Sequence, residues 1–501
     1  MQKRSLVSFT MTKACSIEAK RTIKNALENL MRTINSKEIS SAAKTSVRGF
    51  TQPRKITLQD VILFYTFRHC ETTNKDITSY FSKTEKPKVS KQAMFKALNK
   101  TNPNVFPLLI HEFAENFYET QEYTTLDGWI VLASDGTKMD LPPSEELKES
   151  FGGPLNHKIT ERSKLKKAQA NCSILVDVLN HVVLDAAVKP YDVSELPMLY
   201  EHLNNCRELL KDKKVMLICD RYYASAELFL YCKIHGYRLL VRSKSYVYKH
   251  QISKIERDGK IQLVIDQAWR RRLKREECRN YAVTDPLLDL RVVKNHYEYT
   301  LTERVEHTEP LNVKAIYLTT LTPEEFKTDE IISLYHVRRW DAETAYFDLK
   351  SHLEAERFNS GKYNIVVNEL YGKILCYSIC GLIYNKVNEI VLEKRTESVS
   401  SGNKYDYIPN MKYLCDTVRL EHKFLYYLAD IQTWSEEMEQ YLTSMINICS
   451  KNTVPVRPGR HYKRWERWMS TIPNVKFRID GRRNPTIQKC FKGGGYITAD
   501  H

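Results

Sequence analysis

Two short apolar runs, each closed by an aspartate, constrain this chain more than any other feature. Trp129-Ile130-Val131-Leu132-Ala133-Ser134 leads into Asp135, and Val215-Met216-Leu217-Ile218-Cys219 leads into Asp220. Short apolar runs without alternating polarity suit strands buried on both faces. Between them lie two β-rich runs, Gln169 to Val178 and His181 to Val188, with Leu179-Asn180 as a hairpin turn. Ser194 to Leu210 predicts a helix with Ser194 as its N-cap. Ser225 to His235 predicts a second, closed by Gly236, and Tyr237 to Val241 a further strand. The order is three strands, helix, strand, helix, strand. The last two strands flank a helix, as in a parallel β-α-β unit.

That order matches a ribonuclease-H-like core: an α/β fold on a mixed sheet. In such a sheet the strands ending at Asp135 and Asp220 are neighbours, so their carboxylates meet at one end. Two carboxylates in one polar site repel each other, and divalent cations relieve the repulsion. Mg²⁺ favours carboxylate and water oxygens. Two such ions roughly 3.5–4 Å apart stabilise the attacking and leaving oxygens of a phosphodiester displacement. A third carboxylate is needed, and a long helix predicted from Asp329, as N-cap, to Glu354 supplies it. At about 100° per residue, Tyr335, Arg339, Glu343 and Lys350 share one narrow face with Ile332, Tyr346 and Leu353, while Arg338 falls well away from it. On this reading Glu343 is the third metal ligand, Arg339 and Lys350 hold phosphates, and Tyr335 orients a phosphate oxygen. A lone aspartate at a strand end is often only a turn residue, and such a helix face is often a salt-bridge ladder. The joint pattern, in this order on this scaffold, favours a site.

Around this core the expected organisation is a helical N-terminal DNA-binding region (1–120), a first core part (121–244), a β-rich insertion (245–314), a second core part with the Glu-bearing helix (315–390), and a helical C-terminal region with a basic tail (391–501). Leu58, Val61, Ile62, Tyr65 and Phe67 predict an amphipathic helix. Ser90 caps another, which projects Lys91, Gln92 and Lys96. Two short helices with a basic second one suit a helix-turn-helix on DNA, or a plain helical bundle. The insertion carries the run Leu287 to Val293, the run Tyr297 to Leu301, and the cluster Arg270-Arg271-Arg272 with Lys274 and Arg275, which suits phosphate tracking. No run approaches the roughly 20 apolar residues that span a bilayer. Ile374 to Tyr384, the best candidate, reads as a buried core helix, and no membrane partner is expected. The twelve cysteines form no C-x-x-C pair and read as reduced thiols. Formal charge is +16, and its placement is uneven. Residues 1–60 hold 12 Lys and Arg against 4 acids, and residues 451–501 hold 12 against 3, leaving the 390 between them at −1. Basic segments flanking a near-neutral core point to nucleic acid.

The motifs then become specific. Asp135-Gly136-Thr137 followed by Leu141-Pro142 and Phe151-Gly152 resembles the first catalytic block of DDE transposases from bacterial insertion sequences. Asp220-Arg221-Tyr222-Tyr223 with Ala226-Glu227-Leu228-Phe229 resembles the second. Tyr335, Arg339-Trp340, Glu343, Leu349-Lys350 and Glu356-Arg357-Phe358 resemble the third, the Tyr-Arg-Glu-Lys signature of the branch with a mostly β insertion. The resemblance spans about residues 55 to 385. Two departures stand out: Tyr222 occupies a position that usually holds Gly, and Arg338 rather than Arg339 has the usual spacing from Tyr335. The resemblance implies cut-and-paste transposition of double-stranded DNA. It also implies a catalytic and metal-binding triad of Asp135, Asp220 and Glu343, two Mg²⁺ ions for which Mn²⁺ substitutes, and a homodimeric synaptic complex. A bacterial cytoplasm, at the nucleoid, would be the setting. Relatives form a hairpin intermediate helped by a flipped base; Trp269, beside the arginine cluster, is the stacking candidate, or else a residue of the insertion's own small core. The competing readings are a catalytically silent DNA-binding descendant and a structure-specific nuclease of ribonuclease-H-like fold.

Overall fold

The computed structural model describes residues 11–14, 23–46, 49–50, 55–69, 71–154, 168–244, 246–299, 311–398, 405–430 and 436–456. The basic stretch after 456 and most of residues 1–22 lie outside them. The site-bearing sheet comprises β1 (Ile130–Asp140), β2 (Gln169–Asp177), β3 (Val182–Pro190), β4 (Val215–Cys219), β5 (Arg238–Ser243), β6 (Asp258–Val264), β7 (Leu287–Tyr299) and β8 (Leu311–Thr319). Its spatial order is β3-β2-β1-β4-β5-β8-β7-β6. The β1–β2 and β2–β3 pairs are antiparallel, and β1–β4 and β4–β5 are parallel. This half is the mixed, ribonuclease-H-like sheet expected from the strand order. The runs closing on Asp135 and Asp220 are its central neighbours. Ile130 to Ala133 and all of β4 are buried, which is why neither run alternates in polarity.

Among the described residues, the expected insertion builds no sheet of its own. β8 pairs antiparallel with β5 and carries β7 and β6 outward, so its strands extend the core sheet. The runs 287–293 and 297–301 read as two strands because Lys294, Asn295 and His296 interrupt the apolar pattern. Residues 287–299 form one strand, since backbone pairing with Ile316, Ala315 and Lys314 continues across the polar residues; residues 300 and 301 lie outside the described residues.

The helices that matter for the site are α1 (Leu58–Phe67), α2 (Thr73–Lys83), α3 (Lys91–Asn99), α4 (Glu195–Asn205), α5 (Ala226–Ile234), α6 (Thr328–Phe347) and α7 (Tyr363–Ser398). Ser90 and Ser225 cap α3 and α5 by accepting the N–H groups of Ala93 and Leu228, each at 3.2 Å. Gly236, past the end of α5, has φ +72°, a conformation that glycine adopts without steric cost. α1 is not amphipathic: Asp60 to Phe67 are all buried, because α7 packs on it at Tyr65 while α2 closes the side expected to be wet, where the Tyr80 hydroxyl donates to Asp60 at 3.0 Å and the Tyr80 ring packs on Phe64. α7 contains Ile374 to Tyr384. By length and composition it could cross a membrane, but its apolar window is wholly buried inside the fold. The nine described cysteines are free and buried.

The Glu-bearing helix departs from expectation at both ends. It starts at Thr328, where the Glu330 carboxylate accepts the Lys327 N–H at 2.7 Å. Asp329 is not the cap; it pairs with Arg257 at 2.6 Å, tying the helix to the outer strands. The α-helix stops at Phe347, and a π-turn over Asp348–His352 replaces its predicted last turns.

Candidate active site

Asp135 lies on β1 two residues past the last β1–β4 pair, Ala133 with Ile218, and Asp220 directly follows β4. Both therefore stand at the same sheet end, where the two strands part. The Asp135 carbonyl accepts the Tyr346 hydroxyl at 2.6 Å, and that hydroxyl in turn accepts the Ile174 N–H at 3.0 Å. One buried phenol thus fastens α6 to both β1 and β2. Glu343 is three residues before Tyr346, so the same face of α6 brings Glu343 to the sheet end.

Arg339 links the helix to the sheet. Its Nη1 donates to Glu343 Oε1 at 2.7 Å, and its Nε lies 3.5 Å from Asp220 Oδ1. Burial alone would lower the guanidinium's pKa, but Glu343, Asp220, Tyr335 and Asp135 together hold it above its ordinary value. The Asp135 carboxyl is pushed up to about 7, by burial first and then by Glu195, Asp220 and Glu343, against the Gly136 N–H that donates to it at 2.9 Å. Three acids from three elements therefore act on one half-buried carboxyl.

The other sequence candidates separate. Arg338 pairs with Asp341 at 3.2 Å, off the face of Glu343. Tyr335 is buried beside Tyr317, ring centres 5.0 Å apart, and its hydroxyl has no hydrogen-bond partner among the described residues. Lys350 sits in the π-turn rather than on the α-helix. It donates to the Lys138 carbonyl at 2.8 Å and lies 3.3 Å from Glu356, so it braces the end of β1. Arg270 is half-buried and Arg271 and Arg272 are exposed. Arg275 turns inward, 3.6 Å over the Tyr200 ring, with its N–H on Glu227 at 2.6 Å. Trp269, half-buried, packs on the core with its ring centre 6.3 Å from that of Tyr248.

Sequence reasoning missed Glu195, the first residue of α4, and gave no role to Tyr223, in the 3₁₀ turn after Asp220. An acid in a first helical turn is so common a response to the helix dipole that nothing marked Glu195 out.

The donor set is carboxylate oxygen, which suits a hard divalent cation. The neighbouring acids that disfavour ionisation of Asp135, and the buried Tyr335 hydroxyl that has no hydrogen-bond partner among the described residues, also fit a hydrated cation. Among the described residues, no three His, Cys, Asp or Glu side chains stand close enough to hold one ion, and Arg339 spans two of the acids.

Residues 130–379 match the family described as Transposase DDE domain. Members of that family generally use divalent metal ions. The chain is also similar to a solved structure, the cryo-EM structure of piggyBac transposase synaptic complex with hairpin DNA. The two share 9% identity over 84% of this chain and 85% of that one, with a TM-score of 0.39. That likeness is too distant to align residues. No curated protein matches the sequence. The stretch bearing Asp135, Asp220 and Glu343 is thus a transposase DDE domain.

Proposed function

We propose that the protein cuts and rejoins double-stranded DNA at the ends of an insertion sequence, as a cut-and-paste transposase of the branch with the Tyr-Arg-Glu-Lys signature. The observation that carries this reading is the meeting of Asp135, Asp220 and Glu343 at one sheet end, within residues 130–379. Asp135, Asp220 and Glu343 would hold Mg²⁺, with Mn²⁺ as a substitute. Bound there, the ions would neutralise the phosphate and lower the pKa of water at the scissile bond.

The residues divide the remaining work. Tyr346 holds Asp135 and the Glu343 helix in register. Arg339 offsets the charge of Asp220 and Glu343, and its guanidinium stands where a phosphate oxygen would meet these acids. Tyr335 offers its unpartnered hydroxyl to a second one. In the first displacement a water oxygen bonds to phosphorus and the 3′ oxygen leaves. In the second, that 3′-OH bonds to a target phosphorus and another 3′ oxygen leaves. Arg271, Arg272 and the projecting Lys91, Gln92 and Lys96 would track phosphates, and the active complex would be a homodimer on two DNA ends.

Incubating the protein with Mg²⁺ and linear DNA carrying its own element's ends tests this. Cleavage at the ends together with joined products supports the proposal. Nicking without joining would favour a structure-specific nuclease, and binding without cleavage a silent descendant.

A further inference from the structure

Three polar side chains stand in a line behind the acidic site, and each is buried. Asp185 on β3 is 5% exposed, and His202 on α4 and Ser173 on β2 are 0% exposed. His202 Nδ1 lies 2.8 Å from Asp185 Oδ2, and its Nε2 lies 3.0 Å from Ser173 Oγ. Asn205, the last residue of α4, donates to the same Asp185 oxygen at 2.9 Å. Carboxylate, imidazole and hydroxyl in this order are the groups that activate a serine nucleophile. Here sheet and helix enclose the hydroxyl, so no substrate reaches it. Its role must be read from what it touches.

What it touches is the main chain of Asp135. Ser173 Oγ donates to the Asp135 carbonyl at 3.2 Å. The same carbonyl accepts the Tyr346 hydroxyl at 2.6 Å. Two side-chain hydroxyls thus converge on the backbone of one catalytic acid, one from α6 and one backed by α4. Ser173 is the register partner of Gly136, the residue after Asp135, so the contact falls where β1 carries the acid to the sheet end. Burying a carboxylate, a ring and a hydroxyl costs desolvation that apolar side chains of similar size would avoid. Packing alone therefore does not account for the line. Its end on Asp135 does.

We propose that Asp185, His202 and Ser173 form a positioning relay for DNA cleavage, in which His202 donates to Ser173 and Ser173 donates to the Asp135 carbonyl, fixing the strand end that carries the first acid. The proposal rests on the reading of Asp135 as a metal-binding acid. A serine hydroxyl has one proton, so to serve the carbonyl Ser173 must accept from Nε2. The ring then carries a proton on each nitrogen, and Asp185 is its counter-ion. Being enclosed, the three residues act through Asp135 and not on DNA. Partners that orient a metal ligand from behind typically change metal affinity or activity by about 10- to 100-fold when removed.

The test is single-turnover cleavage of bound, end-bearing DNA by the full chain across Mg²⁺ concentrations, with end binding and thermal unfolding measured alongside. Ser173→Ala should lower the rate, or raise the Mg²⁺ needed for half the maximal rate, about tenfold or more. End binding should stay within a few-fold. Ser173→Thr, which keeps the hydroxyl, should recover part of the loss. His202→Gln should lose a similar factor, and the double variant Ser173→Ala with His202→Gln little more than either alone, because both act through one path. In ¹⁵N spectra of histidine-labelled wild type, at the pH of the assay, the signal that His202→Gln removes should show protons on both ring nitrogens. Wild-type rate and Mg²⁺ requirement in a folded Ser173→Ala, additive losses in the double variant, or a singly protonated His202 ring would overturn the relay while leaving the metal-dependent reading intact. Absence of Mg²⁺-dependent cleavage by the wild type would overturn both.

Discussion

Asp135 is held in a costly state. Its carboxyl titrates near 7 in the folded chain, against about 3.9 when exposed. The folded state therefore holds this proton more tightly than the unfolded one. Its contribution to stability is fully present below pH 4, is lost as pH rises toward 7, and is flat above that. Asp135→Asn removes the ionisable group. The variant is expected to be more stable than wild type at pH 8 without metal, by roughly 2–4 kcal/mol, and to lose that advantage near pH 4. Thermal melts across pH check this, and equal melts at pH 8 would mean the site is not strained by charge. Because a cation needs the ionised form, metal affinity should rise with pH through 7. The residues that the sequence made legible were those at motif positions. Glu195 was not, because only folding brings it beside Gly136, far back along the chain.

At the scale of elements, the site is a joint between β1, β4 and α6, and Tyr346 is its fastener. Tyr346→Phe would leave the Asp135 carbonyl and the Ile174 N–H short of a buried partner. It is expected to cost about 1–3 kcal/mol and to reduce cleavage more than DNA binding, measured by melts and by paired assays. A second joint seats α7. A Cβ on Gly381 would lie 2.1 Å from the His181 carbonyl oxygen, and one on Gly372 would lie 2.8 Å from the Tyr65 carbonyl oxygen. Backbone cannot yield as a side chain can, so Gly381→Ala is expected to destabilise by at least about 1–3 kcal/mol, read as a lower unfolding temperature. The strand-strand-strand-helix-strand-helix-strand order was legible because buried runs and caps are local signals. The long β7, the all-buried α1 and the π-turn under Lys350 were not, because strand pairing, helix cover and sheet contacts decide them from a distance.

The whole molecule separates charge from chemistry. A near-neutral central stretch holds the acids, while residues 1–60 and 451–501 carry +8 and +9. Thr453–Val456 pairs with Asp406–Pro409, so the first part of the basic C-terminal stretch belongs to the fold. Residues 457–501 keep 11 Lys and Arg against 3 acids. Ending the chain at Val456 is expected to weaken DNA binding and to flatten its dependence on salt, with melting unchanged. An unchanged salt slope would place the DNA grip elsewhere. The central claim concerns the acids themselves, and its most direct test is cleavage of end-bearing DNA in Mg²⁺ by Asp135→Asn, Asp220→Asn and Glu343→Gln, with end binding measured alongside. The account expects each substitution to abolish cleavage, by a factor of a thousand or more on the order of magnitude of lost metal catalysis, while binding stays within a few-fold. Near-normal cleavage by any one of the three would contradict it.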